Sequence, residues 1–213
     1  MTAKDPRPVG ERWKTPADAR RYETERWRSE WAAERDPRRV RRILARWCAE
    51  GRCGRVLDVA CGGGRLRDAL GSSAYVGVDV SAAMLARSSA GRRVRASALA
   101  LPFRNDCFDA VVCVRLLHHL ADDGALRRAL GELVRVSRRL VVVSFWDRAS
   151  LPALRRRLRL RPARRHADGR VAISREELGA RVAAAGATVV GFDPGPRFLS
   201  MQAFLIAEKR DAR

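Results

Sequence analysis

Val-Leu-Asp-Val-Ala-Cys-Gly-Gly-Gly, residues 56–64, is the stretch that decides the fold. Its first residues form a short apolar run typical of a buried strand, and its glycines are typical of a tight turn. A helical pattern through residues 66–70 follows directly. Glycines at such a turn let the backbone come close to a ligand. The stretch therefore predicts a strand, a ligand-binding turn and a helix.

A second strand, predicted at residues 75–80, carries an acidic residue near its end. Asp79 lies 21 residues after Asp58. In dinucleotide-type sites an acid at about this spacing accepts hydrogen bonds from ribose hydroxyls. The alternative is that Asp79 caps the helix that begins after Ser81. The turn lacks the Gly-Lys-Ser/Thr ending of phosphate loops and the spacing of nicotinamide sites, which argues against both classes.

Strands and helices alternate through the rest of the chain. Asp36 and Pro37 predict a helix start, because aspartate caps helices well and proline suits their first position. Asp122 or Asp123 caps a later helix, and residues 174–177 read as a capping box. Further strands are predicted at residues 94–97, 110–114, 140–145, 188–192 and 198–207. This order predicts an α/β fold with a doubly wound, mostly parallel sheet and helices on both faces.

Composition describes a folded and strongly basic chain. Hydrophobic residues make up 46% and charged residues 32%, and the net charge is +20. Such a field attracts anions, but only three of the 44 basic residues are lysines, so a GC-rich coding sequence is an equal explanation. No apolar run is long enough to span a membrane, and the first residues lack an apolar signal core. We therefore expect a cytoplasmic protein.

The cysteines point away from metal binding and disulfides. There are five, an odd number, with no Cys-x-x-Cys pair, and the three histidines do not complete a zinc set. We expect reduced thiols and no metal site.

Five segments together resemble class I S-adenosylmethionine-dependent methyltransferases of the group called methyltransferase type 11. In chain order they are residues 56–64, 77–81, 96–103, 105–111 and 113–120. The resemblance implies a Rossmann-like sheet of seven strands with a closing antiparallel strand. It implies a helical lid or cap over residues 1–54 and a methyltransferase domain over residues 55–213, with an arginine-rich insertion at about 148–170.

The resemblance also implies the cofactor, S-adenosylmethionine, with S-adenosylhomocysteine as product, and the residues that bind it. These are Asp58, Ala60, Cys61, Gly62, Gly64, Asp79, Val80, Met84, Ser97, Ala98, Leu99, Val114 and Arg115. Two positions depart from the family pattern. Ala60 replaces a common glycine, and Ser97 replaces an acid that hydrogen-bonds the adenine amino group. The loss of that charge-assisted bond predicts weaker cofactor binding or a compensating contact.

Candidates for chemistry lie beside the last of these motifs. His118 is the predicted general base, since a neutral imidazole accepts a proton near pH 7, with one of His118 and His119 facing the site. The alternative is that the pair only supports the pocket. Arg115 would meet the cofactor carboxylate or an anionic acceptor, or pack at the surface.

Acceptor-side candidates are more scattered. Tyr22 and Arg26 are four residues apart and share a helix face, which suits a lid; the alternative is that Trp27 and Trp31 pack on the core. His119, Trp146 and His166 complete the predicted substrate or lid residues.

Residues 148–170 contain nine arginines and one acid, which is typical of an anion-binding segment or of a solvated helix. We predict methyl transfer by in-line displacement to a small or anionic acceptor: a metabolite, a glycan or a lipid-linked group. Two alternatives stay open, an RNA methyltransferase that uses the arginine-rich surface and a non-catalytic protein that binds S-adenosylmethionine. Peripheral contact with anionic surfaces is compatible with the charge. The acceptor atom and the oligomeric state are not specified.

Overall fold

The computed structural model describes residues 13–26, 29–48, 53–71, 74–88, 91–151, 153, 170–195 and 200–210. Its helices are α1 (Pro16–Arg26), α2 (Glu30–Trp47), α3 (Arg67–Leu70), α4 (Ala82–Leu85), α5 (Asp123–Val136) and α6 (Arg175–Ala184). A 3-10 turn covers Leu117–His119. The strands are β1 (Arg55–Val59), β2 (Ala74–Asp79), β3 (Arg92–Arg95), β4 (Phe108–Cys113), β5 (Ser137–Trp146), β6 (Ala187–Asp193) and β7 (Gln202–Lys209).

Within the described residues, seven strands form one sheet in the order β3-β2-β1-β4-β5-β7-β6. Strands β1 to β5 pair in parallel, and β7 runs antiparallel to both β5 and β6. The predicted fold class, including its closing antiparallel strand, is confirmed. Parallel pairing places the carboxyl ends of β1, β2 and β4 at one edge of the sheet, which is where such folds bind ligands.

Both faces of the sheet are buried, which explains the continuous apolar runs in β4 and β5. On one face the sheet packs against α5 and α6, with Leu130 and Leu178 among the fully buried side chains. On the other face it packs against α2 and α3, through Val40 and Leu70 for example. Helix α5 passes directly into β5, and the predicted capping box at Ser174 and Glu177 is present.

The start of α2 differs from the prediction. The helix begins at Glu30 and contains Pro37, so Asp36 is inside the helix and does not cap it. Proline has no N–H to bond the carbonyl four residues earlier. In this helix that carbonyl, on Ala33, accepts a hydrogen bond from Arg65 Nη1 at 2.7 Å. A partner from another element thus satisfies the group that proline leaves without a donor.

The expectation that all cysteines are reduced is also wrong. Cys48, just after α2, and Cys53, just before β1, form a disulfide with their Cα atoms 5.3 Å apart. Cys61, Cys107 and Cys113 are free thiols. No paired-cysteine motif predicts this bridge, because it depends on how the end of α2 approaches the first strand.

Candidate functional site

A cavity of about 950 Å³ opens at the carboxyl ends of β1, β2 and β4, beneath α1. Most of the residues predicted to bind the cofactor line it: Asp58, Ala60, Cys61, Gly62, Asp79, Val80, Met84, Ser97, Ala98, Leu99, Val114 and Arg115. Gly64 is not among the lining residues. Four of the five segments that carry the family resemblance therefore contribute to one concave surface, and residues 105–111 are not among the lining residues.

The turn after β1 has backbone conformations that favour glycine. Gly62 and Gly64 have φ angles of 55° and 82°, and Ala60 has 61°. A Cβ atom on Gly62 would lie 2.9 Å from Met84 Cε, and one on Gly64 would lie 2.5 Å from Ser88 Oγ. Met84 and Ser88 therefore pack closely against the bare backbone of this turn, which forms one wall of the cavity.

Asp79 holds the turn to the second strand. Its Oδ2 accepts a hydrogen bond from the Gly62 N–H, and its Oδ1 accepts one from the Ser81 N–H, both at 2.9 Å. Burial raises the pKa of this carboxyl, although the backbone N–H groups of Ser81 and Gly62 oppose the shift. A carboxylate has about four lone-pair sites. Asp79 can therefore order the turn and still accept hydrogen bonds from ribose hydroxyls. The alternative that Asp79 caps the next helix is wrong, because the cap is Ser81, whose hydroxyl accepts from the Met84 N–H at 3.1 Å.

Asp58, at the cavity floor, is a buried acid with an unusual proton affinity. The Tyr75 hydroxyl donates to its Oδ2 at 3.0 Å, and Oδ1 accepts no hydrogen bond from the described residues. Burial raises the pKa of Asp58 to about 7, with the Tyr75 hydrogen bond and Arg65 acting in the opposite direction. The group is thus poised to change charge near neutral pH.

The predicted general base His118 lies away from the cavity, whereas His119, predicted as a substrate or lid residue, lies at its wall. His118 is buried and stacks on Trp146, with ring centroids 4.5 Å apart and planes 6° apart. Neither of these two residues lines the cavity, whereas His119 does. The His119 ring meets the edge of Trp13 at 5.5 Å. Of the pair, only His119 therefore contributes to the cavity wall.

Helix α1 and two residues that precede it cover the cavity. Tyr22 lines it as predicted, together with Trp13, Lys14 and Glu23. The Ser81 hydroxyl donates to the Trp13 carbonyl, and Glu23 pairs with Arg87 beside α4. The alternative, in which Trp31 packs on the core, is wrong, because 62% of this residue is exposed. The side chain of Arg26 lies outside the described residues, as do Trp27 and His166.

Comparison with known proteins identifies this arrangement. The family model described as a methyltransferase domain matches residues 57–143, which include β1, the glycine turn, Asp79 and β4. Residues 57–143 of the chain thus match a methyltransferase domain. S-Adenosylmethionine, the donor that the resemblance implied, is the cofactor named for solved methyltransferases that share this fold.

Three relatives show how far the similarity extends. Over 95 residues the chain is 33% identical to a tRNA (carboxymethyluridine(34)-5-O)-methyltransferase of Arabidopsis thaliana. The matched segment covers 43% of this chain and 24% of that protein. The chain therefore spans about a quarter of the length of this curated relative. A possible histamine N-methyltransferase of Thermotoga maritima superposes with a TM-score of 0.65 and 20% identity, covering 90% of this chain and 98% of that one. The magnesium protoporphyrin IX methyltransferase of Synechocystis, solved with S-adenosylhomocysteine, superposes with a TM-score of 0.68 and 18% identity. This match covers 92% of this chain and 100% of that one. These two likenesses establish the fold.

The residues of the methyltransferase domain fit the donor. The resemblance assigns the bare turn to the amino-acid part of the donor and the Asp79 carboxylate to its ribose, and both line the cavity. Val80, 58% exposed although apolar, lies beside Ser97, Ala98 and Leu99 and suits an adenine ring. The Ser97 hydroxyl accepts from the Leu99 N–H at 3.1 Å, so it orders the loop in which the family commonly has an acid.

Sequence reasoning missed several lining residues. Trp13 and Lys14 were not among the predicted lid residues, and Arg65 and Arg87 were not distinguished from the many other arginines. For Arg65 the signal was its place directly after the glycines. For Trp13 there was none, because its position depends on contacts with Tyr22, Ser81 and His119.

The arginine-rich insertion is described only at its ends. Arg148 pairs with Glu177 at 2.9 Å, and the Arg170 guanidinium lies 5.4 Å from the centre of the Trp146 ring. The arginines between them lie outside the described residues. Where side chains are described, no group of three or more His, Cys, Asp and Glu residues could hold a metal ion. Within the same residues, no helix combines the length and apolar character that membrane crossing requires.

We expect Asp58 to make stability depend on pH. Between about pH 4 and 7 the folded state keeps a proton on Asp58 that the unfolded state has released, so stability falls as pH rises through this window. Asp58→Asn removes the titration. Urea unfolding at pH 5 and pH 8 should show wild type losing about 2 kcal/mol relative to this variant. The exposed Asp68→Asn on α3 should follow wild type, and parallel pH profiles for wild type and Asp58→Asn would contradict the assignment.

Proposed function

We propose that this chain binds S-adenosylmethionine in the cavity and transfers its methyl group, by in-line displacement, to a small or anionic acceptor. One observation carries the proposal: the bare glycine turn and the Asp79 carboxylate face a single cavity beneath α1. When bound, the donor supplies a methyl group already activated by its sulfonium. The protein's task is then to position the reactants and to exclude water.

Aromatic side chains form the part of the wall beneath the N-terminal cover. Trp13 packs edge-on against both Tyr22, at 5.7 Å, and His119. These rings exclude water and leave His119 as the imidazole that lines the cavity. A neutral imidazole accepts a proton near pH 7. We therefore assign proton removal from the acceptor to His119 in place of His118, wherever the acceptor carries a proton that must leave.

An anionic acceptor is favoured by the charges of the wall. Lys14, Arg65, Arg87, Arg95 and Arg115 line the cavity, against the acids Glu23, Asp58 and Asp79. Glu23 is paired with Arg87, and Asp58 holds its proton up to about pH 7. The remaining field is positive, and it attracts carboxylate or phosphate groups.

An RNA acceptor is the second candidate. The chain is similar over 95 residues to the Arabidopsis tRNA methyltransferase, and a net charge of +20 suits a polyanion. RNA binding driven by phosphate contacts weakens steeply with salt. Retention of tRNA at 50 mM salt that is lost at 200 mM would favour this candidate.

The test begins with binding and proceeds to turnover. Calorimetric titration with S-adenosylmethionine and S-adenosylhomocysteine should give saturable binding at one site. Methyl-labelled donor is then incubated with two acceptor sets, small carboxylic and phosphorylated metabolites in one and bulk tRNA in the other. Label in the first set supports the proposal, and label in tRNA alone supports the second candidate. Binding without label in either set would leave the domain as a non-catalytic binder of the donor.

A further inference from the structure

A buried carboxylate on α2 joins two arginines of the cavity wall. Asp36 is fully buried, and its Oδ2 accepts hydrogen bonds from Arg115 Nε at 2.7 Å and from Arg65 Nη2 at 3.0 Å. Arg65 directly follows the glycine turn after β1, and Arg115 follows β4. Both arginines line the cavity, and Asp36 does not. The acid therefore acts on the cavity through the arginines.

Backbone features fix each arginine in place. Because Pro37 has no N–H, the Ala33 carbonyl is available to Arg65 Nη1 at 2.7 Å. Arg115 has a left-handed backbone, with φ of 66°, and its N–H donates to Ser144 Oγ at 2.7 Å. A left-handed conformation is costly for a residue with a side chain. Two elements, helix α2 and strand β5, thus place the two arginines.

The charges do not cancel. Asp36 supplies one negative charge to Arg65 and Arg115, and Arg35 adds a further positive charge with Nε 3.7 Å from Asp36 Oδ1. Burial opposes ionisation of Asp36, but Arg115 and Arg65 outweigh it and keep the pKa of the carboxyl below its usual value. Burial also lowers the pKa of Arg65. A positive excess in a partly buried wall is stabilised by an anion that enters the cavity.

We propose that Asp36 is a positioning residue that holds Arg65 and Arg115 as a carboxylate-binding subsite of this cavity. A carboxylate suits the site because guanidinium groups bind it with paired, charge-assisted hydrogen bonds. It has two possible sources, the amino-acid part of the donor and an acid group on the acceptor. The proposal rests on the proposed function, since both molecules must enter the cavity.

The first arm of the test measures a ratio of affinities. S-Adenosylhomocysteine and its decarboxylated analogue are titrated calorimetrically into wild type, Asp36→Asn and Arg115→Gln. If the donor supplies the carboxylate, wild type should prefer S-adenosylhomocysteine at least tenfold, and both variants should reduce this preference to threefold or less. A purely structural Asp36 would weaken both ligands alike and leave the ratio unchanged. Glu34→Gln, a partly exposed acid on the same helix that is not among the cavity-lining residues, is the matched control and should keep the wild-type ratio.

The second arm tests the acceptor as the source. Wild type saturated with S-adenosylhomocysteine is titrated with benzoate, and binding that Asp36→Asn and Arg115→Gln lose at least fivefold would assign the subsite to the acceptor. S-Adenosylhomocysteine binding without carboxylate dependence in either arm overturns the subsite alone. If folded wild type binds neither nucleoside, the proposed function fails as well. Should Asp36→Asn not fold, Arg115→Gln carries both arms, since it leaves Asp36 paired with Arg65.

Discussion

Asp79→Ala is expected to weaken binding of S-adenosylhomocysteine by about 100-fold. The carboxylate is placed to accept hydrogen bonds from ribose hydroxyls, and hydrogen bonds to a charged group contribute about 1.5–3 kcal/mol each. The substitution also removes the acceptor of the Gly62 and Ser81 N–H groups, which order the turn. A total loss of about 3 kcal/mol corresponds to this change in affinity.

Calorimetry measures the effect directly, with circular dichroism to show that the variant is folded. Asp68→Ala is the control, because this acid is exposed on α3 and is not among the residues that line the cavity. Asp79→Asn separates the two roles: its amide keeps the size of the side chain and one acceptor oxygen, but not the charge. An affinity for Asp79→Ala within threefold of wild type would show that the acid serves the turn alone.

Gly64→Ala is expected to lower the free energy of unfolding by about 2 kcal/mol or more. A side chain in the left-handed region costs about 1–2 kcal/mol, and the new Cβ would lie 2.5 Å from Ser88 Oγ and 3.3 Å from Ser88 Cβ. Overpacking of this kind adds to the cost. Since Gly64 is not among the cavity-lining residues, the primary effect should be on stability rather than on ligand contact.

Gly131→Ala serves as the control, because it is expected to raise the free energy of unfolding rather than lower it. Gly131 lies within α5, has no positive φ, and nothing lies within 4 Å of a Cβ built there. Alanine at an open position within a helix should stabilise the protein by about 0.5–1 kcal/mol. Urea unfolding of both variants compares the two changes. Equal effects at Gly64 and Gly131 would mean that the turn does not require glycine at position 64.

Local patterns in the sequence were enough for the fold and for much of the donor pocket. The strand, turn and helix around residues 56–70 depend on nearest neighbours, and so does the placing of Asp79 at the end of β2. The Asp36-Pro37 pair led to a wrong prediction of where α2 begins, because aspartate followed by proline is typical of a helix start. The same pair is compatible with a helix interior here, because Arg65 supplies the hydrogen-bond donor that proline lacks. That donor is distant in sequence and leaves no local signal.

The histidine pair shows a second limit. His118 and His119 lie in a 3-10 turn, where neighbouring side chains point in different directions and no repeat exists to assign them. Which ring faces the cavity is decided by the stacking of His118 on Trp146 and by the approach of Trp13 to His119. These are tertiary contacts between segments far apart in the chain, so the sequence could name the pair but not its orientation.

The position of β7 has a consequence for the order in which the protein can be completed during synthesis. This strand follows the other described strands in the chain, yet it lies between β5 and β6 in the sheet. Until it has left the ribosome, β5 has an open edge and β6 has no neighbour to join. Open strand edges promote association between chains. The nascent domain therefore passes through a stage in which its donor-binding half is complete while its other half still depends on chaperones or on rapid closure by β7.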